Sequence, residues 1–342
     1  MSESMQAVVF QGEGRWGVES RAIPRISNDG EVLLRVDAGS ICGTDLHILA
    51  TPPGHPATPN SVLGHEYAAT VVETAPGVGH LQPGDRVVID PNITCGLCAM
   101  CRQGMTNACE NMTTLGIFRD GGLAEMNLAP ARSLHKISRE VPPEHAALAE
   151  PLSCVWHAFG KAKPAPGESV AIIGGGPIGI LFAMLFKSAG AGPVFLSEKV
   201  EFRRKLAAAC GADYVIDPAV ENPVEVIRAN TARGADIVVD AAGASFPAAL
   251  KMVRGAGRVI LFGMIQQSDC TVNQYSMVRN EVTVYGSFIQ RTAFPEVVRV
   301  IESGNLPLAK LVTHQFGLGE FGTAVDLLRR GQSLKAVLRP SC

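Results

Sequence analysis

Residues 169–190 read SVAIIGGGPIGILFAMLFKSAG, and the fold class turns on them. A short apolar strand, SVAII, runs into glycines and then into an apolar stretch of helical length. Gly174, Gly176 and Gly179 therefore stand in G-x-G-x-x-G spacing between a strand and a helix, the context this motif needs. The first glycine permits the tight turn, the second lets backbone approach a pyrophosphate, and the third allows helix and sheet to pack closely. Pro177 suits the first helical turn, where a missing N–H costs nothing, and Ile178 follows it. The unpaired N–H groups and positive dipole end of that helix would face the phosphates.

Downstream the pattern repeats. Apolar runs PVFLSE, YVID, ADIVVDAAG, GRVILFG and VTVYGSF alternate with helical segments such as EFRRKLAAACGA, which predicts a parallel sheet covered on both faces. The second strand ends in Glu198, whose carboxylate can accept hydrogen bonds from ribose hydroxyls, whereas a 2′-phosphate there meets like charge. NAD is thus expected over NADP, with Lys199, Arg203 and Arg204 as nearby cations that weaken the discrimination and Arg203 as a coenzyme contact.

Upstream the texture differs. From Gln6 to about Ile89, short strands (AVVF, EVLLRVDAG, YAATVVE, PGDRVVID) are separated by Gly, Pro and Asp turns, predicting a barrel-like β unit. With 342 residues, two domains are expected. A net charge of −2 without long runs of like charge argues against a nucleic-acid partner. No apolar run approaches the roughly 20 residues needed to span a bilayer, and no leader pattern opens the chain, so a cytoplasmic protein acting on small molecules is expected.

Nine cysteines could imply disulfides, but Cys95, Cys98, Cys101 and Cys109 fall at C-x2-C-x2-C-x7-C spacing. Four thiolates so close in sequence can wrap one tetrahedral zinc with no open position, a structural site; an iron–sulfur cluster is the alternative. The surrounding lobe, about residues 92–112, has little apolar content, so the metal is expected to supply its folding free energy. Cys154, Cys210, Cys270 and Cys342 read as incidental thiols. A second, dispersed set comprises Cys42, His65, Glu66 and Glu150. A catalytic zinc needs about three protein ligands and an open position, which these residue types can provide; a buried cysteine, a core histidine and solvated glutamates are the competing readings.

Together ICGTDLH, GHEYAATVVE, GDRVVID, the four-cysteine lobe, DGGLAEM, EPLSC, GGGPIG and SLKAVL resemble the zinc-containing medium-chain dehydrogenases over nearly the whole chain. The resemblance implies an α/β protein with a GroES-like β-barrel catalytic domain (1–152 and 289–342) and a Rossmann doubly wound parallel-sheet domain (153–288). It implies Cys42, His65 and Glu150 as catalytic zinc ligands, with Glu66 beside the metal, either just outside its ligands or as a transient ligand, and Asp45 orienting a ligating imidazole. Thr44 would receive the alcohol proton and His47 relay it to solvent. Lys335 would lie near the pyrophosphate, Met264 and Phe288 near the nicotinamide, and Phe118 and Arg119 along the substrate pocket; His157 reads as packing. Glutamate at 150 resembles sorbitol, butanediol and threonine dehydrogenases more than ethanol-type members. The expectation is two zinc ions per chain, NAD, a polar secondary alcohol or its ketone as substrate, and a homodimer or homotetramer. Carbonyl reduction with NADPH or NADH at the same site, and a non-catalytic zinc- and nucleotide-binding protein on the same scaffold, are the alternatives.

Overall fold

A computed structural model describes residues 3–340, so Cys342 lies outside the described residues. The chain divides into two compact units: the first comprises residues up to Ser153, Arg291–Gly304 and those from Val312 onward, and the second Cys154–Gln290 with Asn305–Leu311. The short piece Asn305–Leu311 falls within the stretch assigned above to the first domain but packs with the second unit, where Lys310 Nζ donates to the Ala209 carbonyl at 2.6 Å. Among the described residues no helix is long and apolar enough to cross a membrane.

The second unit is built on a six-stranded sheet in the order Tyr214–Ile216, Val194–Ser197, Val170–Ile173, Ala235–Asp240, Val253–Leu261, Thr283–Gly286. Every neighbouring pair is parallel. Successive side chains along a strand point to opposite faces, yet Val170, Ala171 and Ile172 are all buried, as are Ile237, Val238 and Val239. Both faces are therefore covered, and this is why these strands are unbroken apolar runs. The helix Pro177–Ser188 is buried from Gly179 to Phe186, which accounts for a segment apolar on every side. Chain order reverses direction between Val170–Ile173 and Ala235–Asp240, and open sheets of this kind bind ligands outside the carboxyl ends of the strands at such a point.

The first unit carries a largely antiparallel sheet in the order Val312–Phe316, Lys335–Leu338, Glu31–Ser40, Glu66–Thr74, Arg86–Ile89, Leu134–Lys136, with Met126–Pro130 also paired to Glu31–Ser40. Val32, Leu34 and Val36 enter a core with Tyr67, Ala69, Val71, Val87 and Ile89, while Arg35 turns outward. In the register of the two longest strands Ser40 stands directly opposite Glu66. Ile41 N–H donates to the Ala336 carbonyl, fixing the chain just before Cys42 against the C-terminal strand.

Candidate active site

The dispersed residues converge in the first unit. Cys42 sits at the N-terminus of the short helix Gly43–Ile48, where its N–H donates to Asp45 Oδ2 at 2.8 Å. His65 and Glu66 enter from the turn before the strand Glu66–Thr74. That turn needs glycines: Gly64 has φ +93°, and a Cβ on Gly116 would lie 2.2 Å from the Gly64 carbonyl oxygen and 2.7 Å from the His65 nitrogen. The segment holding Gly116, Gly121 and Gly122 thus presses on the backbone that carries the imidazole. Asn127 locks it there, accepting from Tyr67 Oη at 2.7 Å and donating to the carbonyls of Asp120 and Gly121 at 3.0 Å each.

One ligand atom each from Cys42, His65 and Glu66 lies within 4.8 Å of the others. His65 Nδ1, Glu66 Oε1 and Asp45 Oδ1 are buried without a hydrogen-bond partner. Leaving such atoms buried and unmatched is costly, and a soft–borderline donor set of thiolate, imidazole and carboxylate is what zinc takes up, so these residues fit that ion. Asp45 Oδ1 stands 3.7 Å from His65 Nδ1. Burial opposes protonation of His65, but the neighbouring Cys42 and Asp45 outweigh it and hold the imidazole well above its ordinary value. Burial pushes the Asp45 carboxyl up.

Glu150 lies in the first turn of the helix Ala149–Ala162, 8% exposed. It adds to the fields at His65 and at Lys335, though it falls outside the set of mutually close ligand atoms, which holds Glu66 instead. Thr44 Oγ1 is 3.7 Å from Cys42 Sγ, and His47 is exposed one turn along, its carbonyl accepting from Gly54 N–H at 2.9 Å. Phe118 and Arg119 are exposed at the tip of the glycine-rich segment.

Two residues of this centre carry contacts that sequence reasoning did not supply. Lys335, expected beside the pyrophosphate, is 2% exposed; its Nζ donates to Glu66 Oε2 and, at 3.2 Å, to the Ile41 carbonyl. Ser40 Oγ donates to the same Glu66 oxygen. Both bonds fall on Oε2, leaving Oε1 for the metal cluster. The signal for Ser40 was its cross-strand position opposite Glu66, which becomes visible only once strand pairing is known.

The four-cysteine lobe is self-contained. Cys95 and Cys109 sulfurs are 3.5 Å apart, and the pairs Cys95–Cys101 and Cys98–Cys109 are each 4.0 Å apart. All four lie within 4.8 Å of one another. Backbone N–H groups point at the sulfurs: Leu97 and Cys98 donate to Cys95, and Cys101 donates to Cys98. Those bonds from Leu97 and Cys98 pull the Cys95 thiol down to about 6. Four converging thiols with amide donors around them suit a closed tetrahedral zinc.

In the second unit, Gly174 has φ +100°, and a Cβ on Gly179 would lie 1.8 Å from the Gly174 carbonyl oxygen, so neither position admits another residue cheaply. Gly176, before Pro177 and the part-buried Ile178, faces open space. Glu198, 9% exposed, accepts from Gly175 N–H at 2.7 Å and Val200 N–H at 2.8 Å. Arg204 is occupied by the Glu198 and Lys199 carbonyls and Asp217, while Arg203 Nε is buried without a partner. Met264 and Phe288 are 67% and 42% exposed.

A zinc-compatible centre beside an antiparallel barrel-like sheet, with a separate glycine-turn parallel sheet, defines the class of zinc-binding dehydrogenases. The family description "alcohol dehydrogenase GroES-like domain" matches residues 28–139, and "zinc-binding dehydrogenase" matches residues 177–303. L-threonine 3-dehydrogenase of Pyrococcus horikoshii is 37% identical over 98% of this chain and 99% of its own length. Erythritol/L-threitol dehydrogenase of Mycolicibacterium smegmatis is 34% identical over 99% of this chain and 98% of its own. Among solved structures, a Sinorhizobium meliloti protein described as a zinc-binding dehydrogenase and bound to NADP superposes with a TM-score of 0.95 at 32% identity, over 99% of this chain and 100% of that one. The chain belongs to the zinc-containing medium-chain dehydrogenases, with a GroES-like domain and a Rossmann-type domain, and is an oxidoreductase of the zinc-type alcohol dehydrogenase class.

Proposed function

We propose that this chain oxidises a polar secondary alcohol bearing a neighbouring hydroxyl or amine, using NAD and a zinc held by Cys42 and His65 with Glu66 or Glu150. A second zinc is assigned to Cys95, Cys98, Cys101 and Cys109. The observation that carries this reading is the buried convergence of Cys42, His65 and Glu66, with Glu66 Oε1 lacking a partner. Support for the substrate class comes from the relatives that act on threonine and on erythritol or threitol.

Zinc, when bound, supplies a Lewis acid that lowers the pKa of an alcohol hydroxyl. The Thr44 hydroxyl, beside Cys42, accepts the proton that must leave as hydride departs from carbon, and exposed His47 passes it to water. Asp45 keeps the His65 ring oriented. Glu198 takes the adenosine ribose hydroxyls once they replace its present N–H partners, and like charge disfavours a 2′-phosphate. We place the protein in the cytoplasm as a homodimer or homotetramer, with the edge strand Thr283–Gly286 as the pairing element.

Purified protein is assayed for zinc and for NADH formation across polyols, vicinal diols, β-hydroxy amino acids and unbranched primary alcohols. About two zinc ions per chain and a preference for the first three classes are expected; preference for unbranched primary alcohols defeats the substrate class. The solved structure bound to NADP favours a second reading of the coenzyme, NADP in place of NAD at the same site. Glu198→Ser separates the two: it narrows the NAD/NADP ratio of kcat/KM by about tenfold or more if the carboxylate excludes the 2′-phosphate, and leaves it unchanged if Glu198 has no such part.

A further inference from the structure

Asp240 ends the central strand Ala235–Asp240 with its side chain buried, and its carboxylate is committed to a single loop. Oδ1 accepts from Ala242 N–H at 3.0 Å and Gly243 N–H at 2.9 Å, and Oδ2 accepts from Ser245 N–H at 2.7 Å. Its own carbonyl accepts from Phe262 and Gly263 N–H at 3.0 and 2.9 Å. One residue thus ties together the chain leaving two neighbouring strands. Hydrogen bonds to a charged acceptor are the strong ones, and a loop of small residues has little side-chain packing of its own to hold it.

The loop so held is in backbone contact on one side and lies beside the glycine turn on the other. A Cβ on Gly263 would lie 2.3 Å from Gly243 N, and a Cβ on Gly243 would lie 2.7 Å from the Gly263 carbonyl carbon. Beyond it, a Cβ on Gly174 would come 3.4 Å from Ala242 N. Gly174, Ala242–Gly243 and Gly263 leave the carboxyl ends of adjacent strands, in the register Ile173, Asp240, Leu261. Chain order reverses between the first two of these strands, which is where a sheet of this type binds its ligand.

We propose that Asp240 is a positioning residue for the coenzyme, fixing the backbone floor of the dinucleotide crevice without touching the coenzyme itself. This rests on the reading of the glycine turn as the nicotinamide-dinucleotide site. A residue that merely capped the helix Phe246–Met252 would affect stability and leave coenzyme affinity alone.

The test uses the full zinc-loaded chain and titrates NADH by its fluorescence. Asp240→Asn keeps the shape but offers a single acceptor oxygen, so that its amide N–H groups meet a backbone N–H. The NADH Kd is expected to rise at least about tenfold, as loss of charged hydrogen bonds implies, and the KM for NAD to rise with it. Meanwhile kcat at saturating NAD and the KM for the alcohol should hold within about threefold, a loss of binding rather than of chemistry. An NADH Kd within about twofold of wild type alongside a lowered unfolding temperature overturns the proposal. If the variant does not fold, the wild type decides: amide exchange across residues 240–245 should slow when NADH binds, and unchanged exchange there with NADH bound also overturns it. A wild type that binds no NADH at all defeats the dinucleotide reading itself and this inference with it.

Discussion

The two metal-compatible centres of the first unit are built on opposite plans. In the lobe, Cys95 to Cys109 span a short piece of chain, and backbone amides of that same piece donate to the sulfurs. At the buried centre, Cys42 arrives from one segment and the adjacent His65 and Glu66 from another, while Ser40 and Lys335 reach in from two different strands. The first centre organises its own chain, whereas the second is organised by the fold. Metal at the lobe should therefore be a matter of stability, and metal at the buried centre a matter of chemistry.

The largest expected effect breaks the lobe. Cys101→Ser should cost one zinc per chain and much of a metal-coupled folding energy on the order of 10 kcal/mol, seen as tryptic cleavage at Arg102 that the wild type resists. A lobe that stays protease-resistant without zinc would mean that its amide network suffices. Next, Cys42→Ala should lower alcohol-dependent NADH formation by about a thousandfold or more, with one zinc lost and the unfolding midpoint nearly kept. A comparable collapse of stability in that variant would erase the distinction between the centres.

Smaller effects sharpen the comparison. Lys335→Met removes the cation paired with Glu66 where both side chains are almost fully buried, 3% and 1% exposed. Stranding one member of such a pair costs about 3 to 5 kcal/mol, measurable as a shift in urea unfolding of the metal-free protein; Lys335→Met with Glu66→Gln should recover much of it. Ser40→Ala should cost about 1 to 2 kcal/mol and speed zinc exchange from the buried centre while leaving exchange at the lobe unchanged. Equal acceleration at both would show that Ser40 acts through general loosening.

Periodicity made the parallel sheet legible because a strand segment covered on both faces must be apolar, as Val170–Ile172 and Ile237–Val239 are. The glycine turn was legible for a similar reason: the Gly174 φ of +100° and the absence of room at Gly179 leave the residue type almost no freedom. Lys335 shows the limit. The family resemblance implied a place near the pyrophosphate, and nothing local reveals that its strand lies against the chain at Ile41 and so within reach of Glu66. Asp240 reads as one acid ending an apolar run, and its hold on residues 242, 243 and 245 depends on how the loop turns back.

By itself the sequence determined whatever one stretch of chain settles: the covered strands, the glycine turn and the four sulfurs of the lobe. Tertiary structure alone brought Glu66 close to Cys42 and His65, set Lys335 as its cation and left one of its oxygens without a hydrogen-bond partner. The physical reason is that short-range patterns report on backbone conformation and local ligand spacing, while the partners of a buried charge are set by strand register and by chain brought from hundreds of residues away, as the Lys335–Glu66 pair is, at a separation of 269.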